Sequence, residues 1–215
     1  MADNNKDKII VTIDREYGSG GHEVARRLAE RLGIKMYDEE LIARAAESMG
    51  YREEYVKSND EKAPDFSIPS MFTGIDTFQP SPFAKIQEEE FRIIRDIVSE
   101  GSCVIVGRAA DYILSDEPHV SIFIFAPVEE RIKRKLELIK INHTEEMSEA
   151  AMEKKVKQRD KQRRRYYEFY TDNKWGGREV YDLLINTSRS GINGAVDIIE
   201  AYITGGKGKD ILSDM

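Results

Sequence analysis

A chain of 215 residues, 40% hydrophobic and 34% charged, has the makeup of a globular protein with a substantial core. Its net charge of −7 speaks against wholesale binding to a nucleic-acid polymer. No apolar run approaches the ~20 residues that span a bilayer, and the opening MADNNKDK holds no apolar stretch for a signal sequence. The lone cysteine, Cys103, sits in the apolar run CVIV; it excludes an internal disulfide framework and fits a reducing cytoplasm, the expected address.

Residues 8–14 are rich in Ile and Val and predict a central parallel strand. A loop with Gly18, Gly20 and Gly21 follows, and then a helix with Val24, Ala25, Leu28, Ala29 and Leu32 on one stripe and Gly33 as its stop. Residues 34–37 predict a short second strand, with Asp38 as the N-cap of a helix over 39–49. Residues 50–80 are the least regular, Pro64, Pro69, Pro80 and Pro82 punctuate 58–82, and Phe66, Met71, Phe72 and Phe78 favour an ordered substrate lid. Ser81 and Pro82 open a helix that reaches about residue 100. There follow a strand at 102–106, the pair Gly107-Arg108, a short helix at 111–114, a strand at 120–125 and a helix opening at Pro127. After a break at 142–144 a long charged helix runs over 148–170, then a last strand at 182–186 and an amphipathic helix at 192–203. The tail from Gly205 reads as mobile.

Five strands alternating with helices imply an α/β fold built on a doubly wound five-stranded parallel sheet, whose ligands bind at the carboxyl ends of the strands. Three chemical-looking stretches fall there: the glycine loop, Asp38 and Gly107-Arg108. A glycine-rich turn between a strand and a helix N-terminus is a ready anion site, because backbone N–H groups point into it and the helix dipole adds positive charge. Two templates compete for it. The dinucleotide pattern G-x-G-x-x-G meets Glu23 at its third glycine, yet Asp38 lies where a ribose-binding acid belongs. The phosphate-loop pattern G-x-x-x-x-G-K-[ST] ends correctly at Gly20 but then meets Gly21 and His22.

Charge tips the balance. Residues 154–165 (KKVKQRDKQRRR) carry eight basic residues and one acid, and RIKRK at 131–135 is a second cluster. Local basic walls on an acidic chain suit a small polyanion. Arg159 and Arg163 lie one helical turn apart, and guanidinium groups suit the equatorial oxygens of a moving phosphoryl group.

On these residues the chain resembles the bacterial cytidylate kinases, and more closely the cytidylate-kinase-like proteins with an altered loop. The likeness rests on ID at 13–14, VARRLAERLG at 24–33, YDEELIARA at 37–45 and VGRAADYIL at 106–114. It continues through IFIFAPVEERIKRK at 122–135, RDKQRRR at 159–165 and DLLINTS at 182–188. The resemblance implies a P-loop nucleoside monophosphate kinase with ATP and Mg2+, a single domain over 1–215, an acceptor-side insertion at 50–82 and a helical lid at 143–175. It places Gly18, Ser19, Gly20 and Gly21 at the donor phosphates and makes Arg131 a lid-region arginine; we extend the donor site over His22, Glu23 and Arg131. Arg44 and Arg108 match the family's acceptor-side arginines and Arg159 a lid-region arginine; beyond the resemblance, we add Asp38 and Asp111 to the acceptor and set Arg159 and Arg163 on the transferred group. Its partners would be a nucleotide and a small phosphate acceptor, with no membrane and with homo-oligomers left open.

The departures are specific. Gly21 stands for the phosphate-gripping lysine, His22 for the magnesium-binding hydroxyl, Arg163 for an aspartate that helps read cytosine and Tyr166 for an arginine. Arg15 and the lid arginines are the candidates to supply the missing charge, and Asp14 and Glu23 are the carboxylates near a metal's place. A nucleotide-binding sensor without turnover therefore stands as the alternative. A dinucleotide-dependent oxidoreductase survives only on the Gly18–Asp38 spacing.

Overall fold

The computed structural model describes residues 8–38, 82–143 and 146–205, the side chains of 82–87 and 89 excepted. In chain order these form β1 (Ile10–Arg15), α1 (Gly21–Leu32), β2 (Lys35–Tyr37), α2 (Pro82–Glu100), β3 (Cys103–Val106) and α3 (Ala110–Ile113). Then come β4 (Val120–Phe125), α4 (Val128–Ile141), α5 (Glu149–Tyr170), β5 (Leu183–Asn186) and α6 (Thr187–Ile203). The predicted helix over 39–49, most of the 50–82 stretch and the tail beyond 205 lie outside the described residues. Two compact units make up the chain, Met1–Met36 with Ser102–Met215, and Tyr37–Gly101.

The sheet runs β2-β3-β1-β4-β5, with β1 parallel to β3 and β4, and β4 parallel to β5. It is the doubly wound α/β arrangement expected from the alternation of strands and helices. β3 stands between β1 and β2, whereas the dinucleotide-binding order sets β2 directly beside β1. The Gly18–Asp38 spacing therefore lacks the strand adjacency that would make it a ribose site.

Alternation along the strands sorts the core into two faces. Val11 and Ile13 of β1, with Ile122 and Ile124 of β4, pack against Val24 and Leu28 of α1 and Val196 and Ile199 of α6. All eight side chains are fully buried, and each such burial contributes roughly 1.5–3 kcal/mol. The intervening Phe123 faces the other way, into a cluster with Tyr167, Trp175 and Tyr181, and meets Trp175 edge-on at 5.0 Å between ring centroids. Cys103 is buried in β3, where desolvation pushes its thiol up to about 12, so it is inert.

α5 is charged on nearly every side. Its buried residues are Met152, Val156 and Tyr167 alone, the first two packing with Ile132 of α4. Ser148 caps its N-terminus by accepting from the Ala151 N–H at 3.3 Å. In the second unit, α2 buries Ile93, Ile94, Ile97 and Val98, the one-sided spacing of an amphipathic helix.

Two boundaries differ from the sequence reading in ways that bear on the site. β1 runs through Arg15, because Arg15 still pairs with Ile124 of β4. α6 begins at Thr187 rather than 192, since Asn186 caps it by accepting from Ser188 N–H at 3.0 Å. Gly191, at φ 67° and ψ 179°, then breaks the helix where the amphipathic pattern begins.

Candidate active site

β1 delivers the chain into a turn, Glu16 to Gly20, that leads straight into α1. Gly18 and Gly20 adopt φ of 86° and 88°, the left-handed backbone that glycine takes without penalty. Ser19 is buried and closes the turn on itself, its N–H and Oγ both donating to the Glu16 carbonyl at 3.2 and 2.8 Å. The surroundings leave no space for side chains. A Cβ on Gly18 would stand 2.9 Å from the Arg131 carbonyl oxygen, and one on Gly20 would stand 2.5 Å from Ile192 Cδ1. α1 offers no carbonyl to the N–H groups of its own first turn, Gly21 to Glu23, and such a helix start favours an anion.

Distant residues pin this loop. The Tyr17 N–H donates to Asp160 Oδ1 at 2.7 Å, and the same carboxylate accepts from Arg131 Nη1 at 2.5 Å. Arg131 also donates to the Tyr17 carbonyl at 3.2 Å and pairs with Glu16 at 3.3 Å. From the other side Thr187 Oγ1 donates to the Ser19 carbonyl at 2.6 Å. Arg131 is thus buried beneath the loop and committed to holding its shape.

Three arginines from separate elements gather at the open side. Arg15 lies so close over α1 that a Cβ on Gly21 would fall 2.5 Å from its own Cβ. Its guanidinium reaches the end of β3, where a Cβ on Gly107 would collide with Nη1. Arg163 Nη1 donates to the Arg15 carbonyl at 3.0 Å and its Cζ lies 5.8 Å from the Tyr17 ring. Arg108 follows Gly107 in a run of left-handed residues, φ 78°, 62° and 51° for Gly107, Arg108 and Ala109. Holding two non-glycine residues there costs about 1–2 kcal/mol each, a strain found mainly at working sites. The Arg108 guanidinium rests over the Tyr166 ring at 5.8 Å.

The remaining predicted residues fall into different surroundings. Arg159 is exposed on α5, one turn before Arg163, and His22 is exposed in the first turn of α1. Glu23 is taken by its own helix: Arg26 and Arg27 bond it at 2.8 and 2.6 Å and hold its carboxyl down at about 2. Asp111 is buried, accepts the Tyr167 hydroxyl at 2.5 Å, and is pushed up to about 6 by burial and then by the charge of Asp14. Asp14, raised chiefly by burial, accepts the Tyr181 hydroxyl at 3.0 Å. Asp38 follows β2 and is half-buried, whereas Arg44 lies outside the described residues.

Sequence reasoning missed the Asp160 latch, although a single acid inside so basic a run was a signal for it. It also missed the Asp14–Tyr181 and Asp111–Tyr167 pairs and the Thr187 contact, for which no local pattern exists.

Beside Gly18 and Ser19 opens a cleft of about 220 Å³, with Lys133 and Arg134 on one wall and Thr187 and Ser188 on another. Glu130 and Glu137 also line this cleft, so it presents carboxylates as well as cations beside the loop. Among the described residues no group of three His, Cys, Asp or Glu side chains could hold a metal. A magnesium ion needs less, since it binds phosphate oxygens and keeps several waters.

Comparison with known proteins gives the chain's relatives. The chain is 27% identical over 200 residues to the cytidylate kinase of Pyrococcus horikoshii, covering 92% of this chain and 90% of that one. It is 25% identical over 195 residues to the cytidylate kinase of Staphylothermus marinus, covering 91% and 96%. Among solved structures it is similar to an uncharacterized protein from Eubacterium ventriosum, with a TM-score of 0.68 and 30% identity over 92% of this chain and 99% of that one. Shikimate kinase from Acinetobacter baumannii shares the fold, with a TM-score of 0.52 and 18% identity over 95% and 97%. The model of the cytidylate kinase-like family matches residues 10–189, and the chain belongs to that family.

Proposed function

We propose that the protein is an ATP-dependent phosphotransferase acting on a nucleoside monophosphate or a similar small phosphate acceptor. The observation that carries this reading is the meeting of a tightly held glycine loop with arginines from β1, β3's exit and α5 at the carboxyl ends of β1 and β3. The donor triphosphate lies along the N–H groups that open α1, and its ribose enters the cleft between Arg134 and Thr187. The phosphates themselves would carry Mg2+, which would offset part of their charge. Arg163, with Arg159 one turn away, neutralises charge on the moving group, and Arg108 holds the acceptor's phosphate. An acceptor oxygen bonds to the γ-phosphorus as the bond to the bridging oxygen breaks, releasing ADP. The protein's part is positioning and charge.

The test is to incubate the protein with Mg·ATP and a panel of nucleoside monophosphates while following ADP. Turnover with at least one acceptor is expected, falling about 10²–10³-fold in Arg163→Ala. ATP binding without turnover on any acceptor would favour the second reading, a nucleotide-binding sensor, for which the absence of lysine and hydroxyl at Gly21 and His22 is the supporting observation.

A further inference from the structure

Counting along the phosphate-loop pattern shows where the altered loop departs. With its last glycine at Gly20, the pattern's first glycine falls on Arg15 and its lysine on Gly21. The two positions have exchanged sizes, and the structure shows that they touch. A Cβ on Gly21 would lie 2.5 Å from Arg15 Cβ, 3.0 Å from its Cγ and 3.3 Å from Ile124 Cβ. Lysine at 21 and arginine at 15 therefore exclude one another on this backbone.

We infer that Arg15 is the residue that grips the donor's phosphates in place of the loop lysine, reaching them from the end of β1 instead of from the helix. This rests on the phosphotransfer reading given above. The guanidinium is aimed at the end of β3, where a Cβ on Gly107 would strike Nη1. It therefore spans the carboxyl ends of two adjacent strands, the place where open α/β sheets bind ligands. Its root is firm, because Arg15 pairs with Ile124 in the sheet and its carbonyl accepts from Arg163 Nη1 at 3.0 Å. The same hydrogen bond joins α5 to Arg15, so the lid helix is tied to the cation it works beside. Of the other arginines close to the loop, Arg131 is held beneath it by Asp160 and Glu16, whereas Arg134 approaches Gly20 from the cleft that Thr187 lines, its Cζ 3.0 Å from where a Cβ on Gly20 would stand. A planar fork binds two phosphate oxygens where an ammonium binds as a point charge.

The experiment compares wild type with Arg15→Ala, Arg15→Lys, Gly21→Lys and the exchange Arg15→Gly/Gly21→Lys. Affinity for a non-hydrolysable Mg·ATP analogue is read by calorimetry, turnover by ADP release and folding by thermal melting. Arg15→Ala should weaken the analogue about tenfold or more and slow turnover about 10²–10³-fold. Gly21→Lys, which keeps the arginine, should lose binding or folding, and the exchange should regain binding to within about tenfold of wild type by restoring the pattern's first glycine and its lysine, with His22 unchanged. If Arg15→Ala unfolds, Arg15→Lys and the exchange carry the test. Unchanged analogue affinity in Arg15→Ala, or an exchange variant that folds without binding, overturns the assignment and leaves the phosphotransfer reading standing. A wild type that binds no ATP and turns over no acceptor removes both.

Discussion

Glycine is required at residue 18 for two separable reasons, a φ of 86° and the Arg131 carbonyl 2.9 Å from where a Cβ would stand. Gly33, the stop of α1, has a similar φ of 65° but nothing within 4 Å of a Cβ. Gly33→Ala should therefore cost only the backbone term, about 1–2 kcal/mol. Gly18→Ala adds steric displacement of backbone and should cost about 2–4 kcal/mol. Urea denaturation of the two variants reads the difference, and equal losses would mean that the loop yields freely. The same reasoning explains why Gly21 is bare: the volume that a side chain would need is filled by Arg15.

α5 is an element that its own sequence cannot hold in place. It buries three residues, and its position depends on polar ties to the loop, above all Asp160. That carboxylate is 14% exposed and its partner Arg131 only 8%, so water does little to screen the pair. Asp160→Ala leaves the buried Arg131 with Glu16 as its carboxylate partner beside the Tyr17 carbonyl, and removes the acceptor of Tyr17 N–H. It should destabilise the fold by about 3 kcal/mol. Asp160→Asn, which keeps an acceptor for Tyr17, should cost less. Chemical denaturation measures both, and an Asp160→Ala variant as stable as wild type would show that α5 is held by its apolar contacts.

For the whole molecule, the buried acids Asp14 and Asp111 set a pH dependence. Burial raises both, and Asp111 moves from 3.8 to about 6. A carboxyl raised in the fold binds its proton more tightly there than in the unfolded chain. The stability it lends is complete below about pH 4 and is lost as pH rises through 6. The ionised Asp111 then costs the fold about 3 kcal/mol. Asp111→Asn keeps an acceptor for the Tyr167 hydroxyl and cannot ionise. Its stability relative to wild type should rise between pH 4 and 6 and level off above, as read by urea denaturation across that range. A difference that stays flat with pH would mean that Asp111 titrates normally.

Much of this molecule could be read along the chain. The alternation of strands and helices specified the sheet class, because burial on one or both faces writes its period directly into neighbouring residues. Gly18 and Gly20 marked the loop, and residues 154–165 marked a basic helix near it. The order of strands, the size exchange between Arg15 and Gly21, and the burial of Arg131 emerged only in three dimensions. So did the latch between Tyr17 and Asp160, residues 143 apart in sequence. Such contacts leave no periodic trace, since what selects each side chain is a partner that the chain meets only after it has folded.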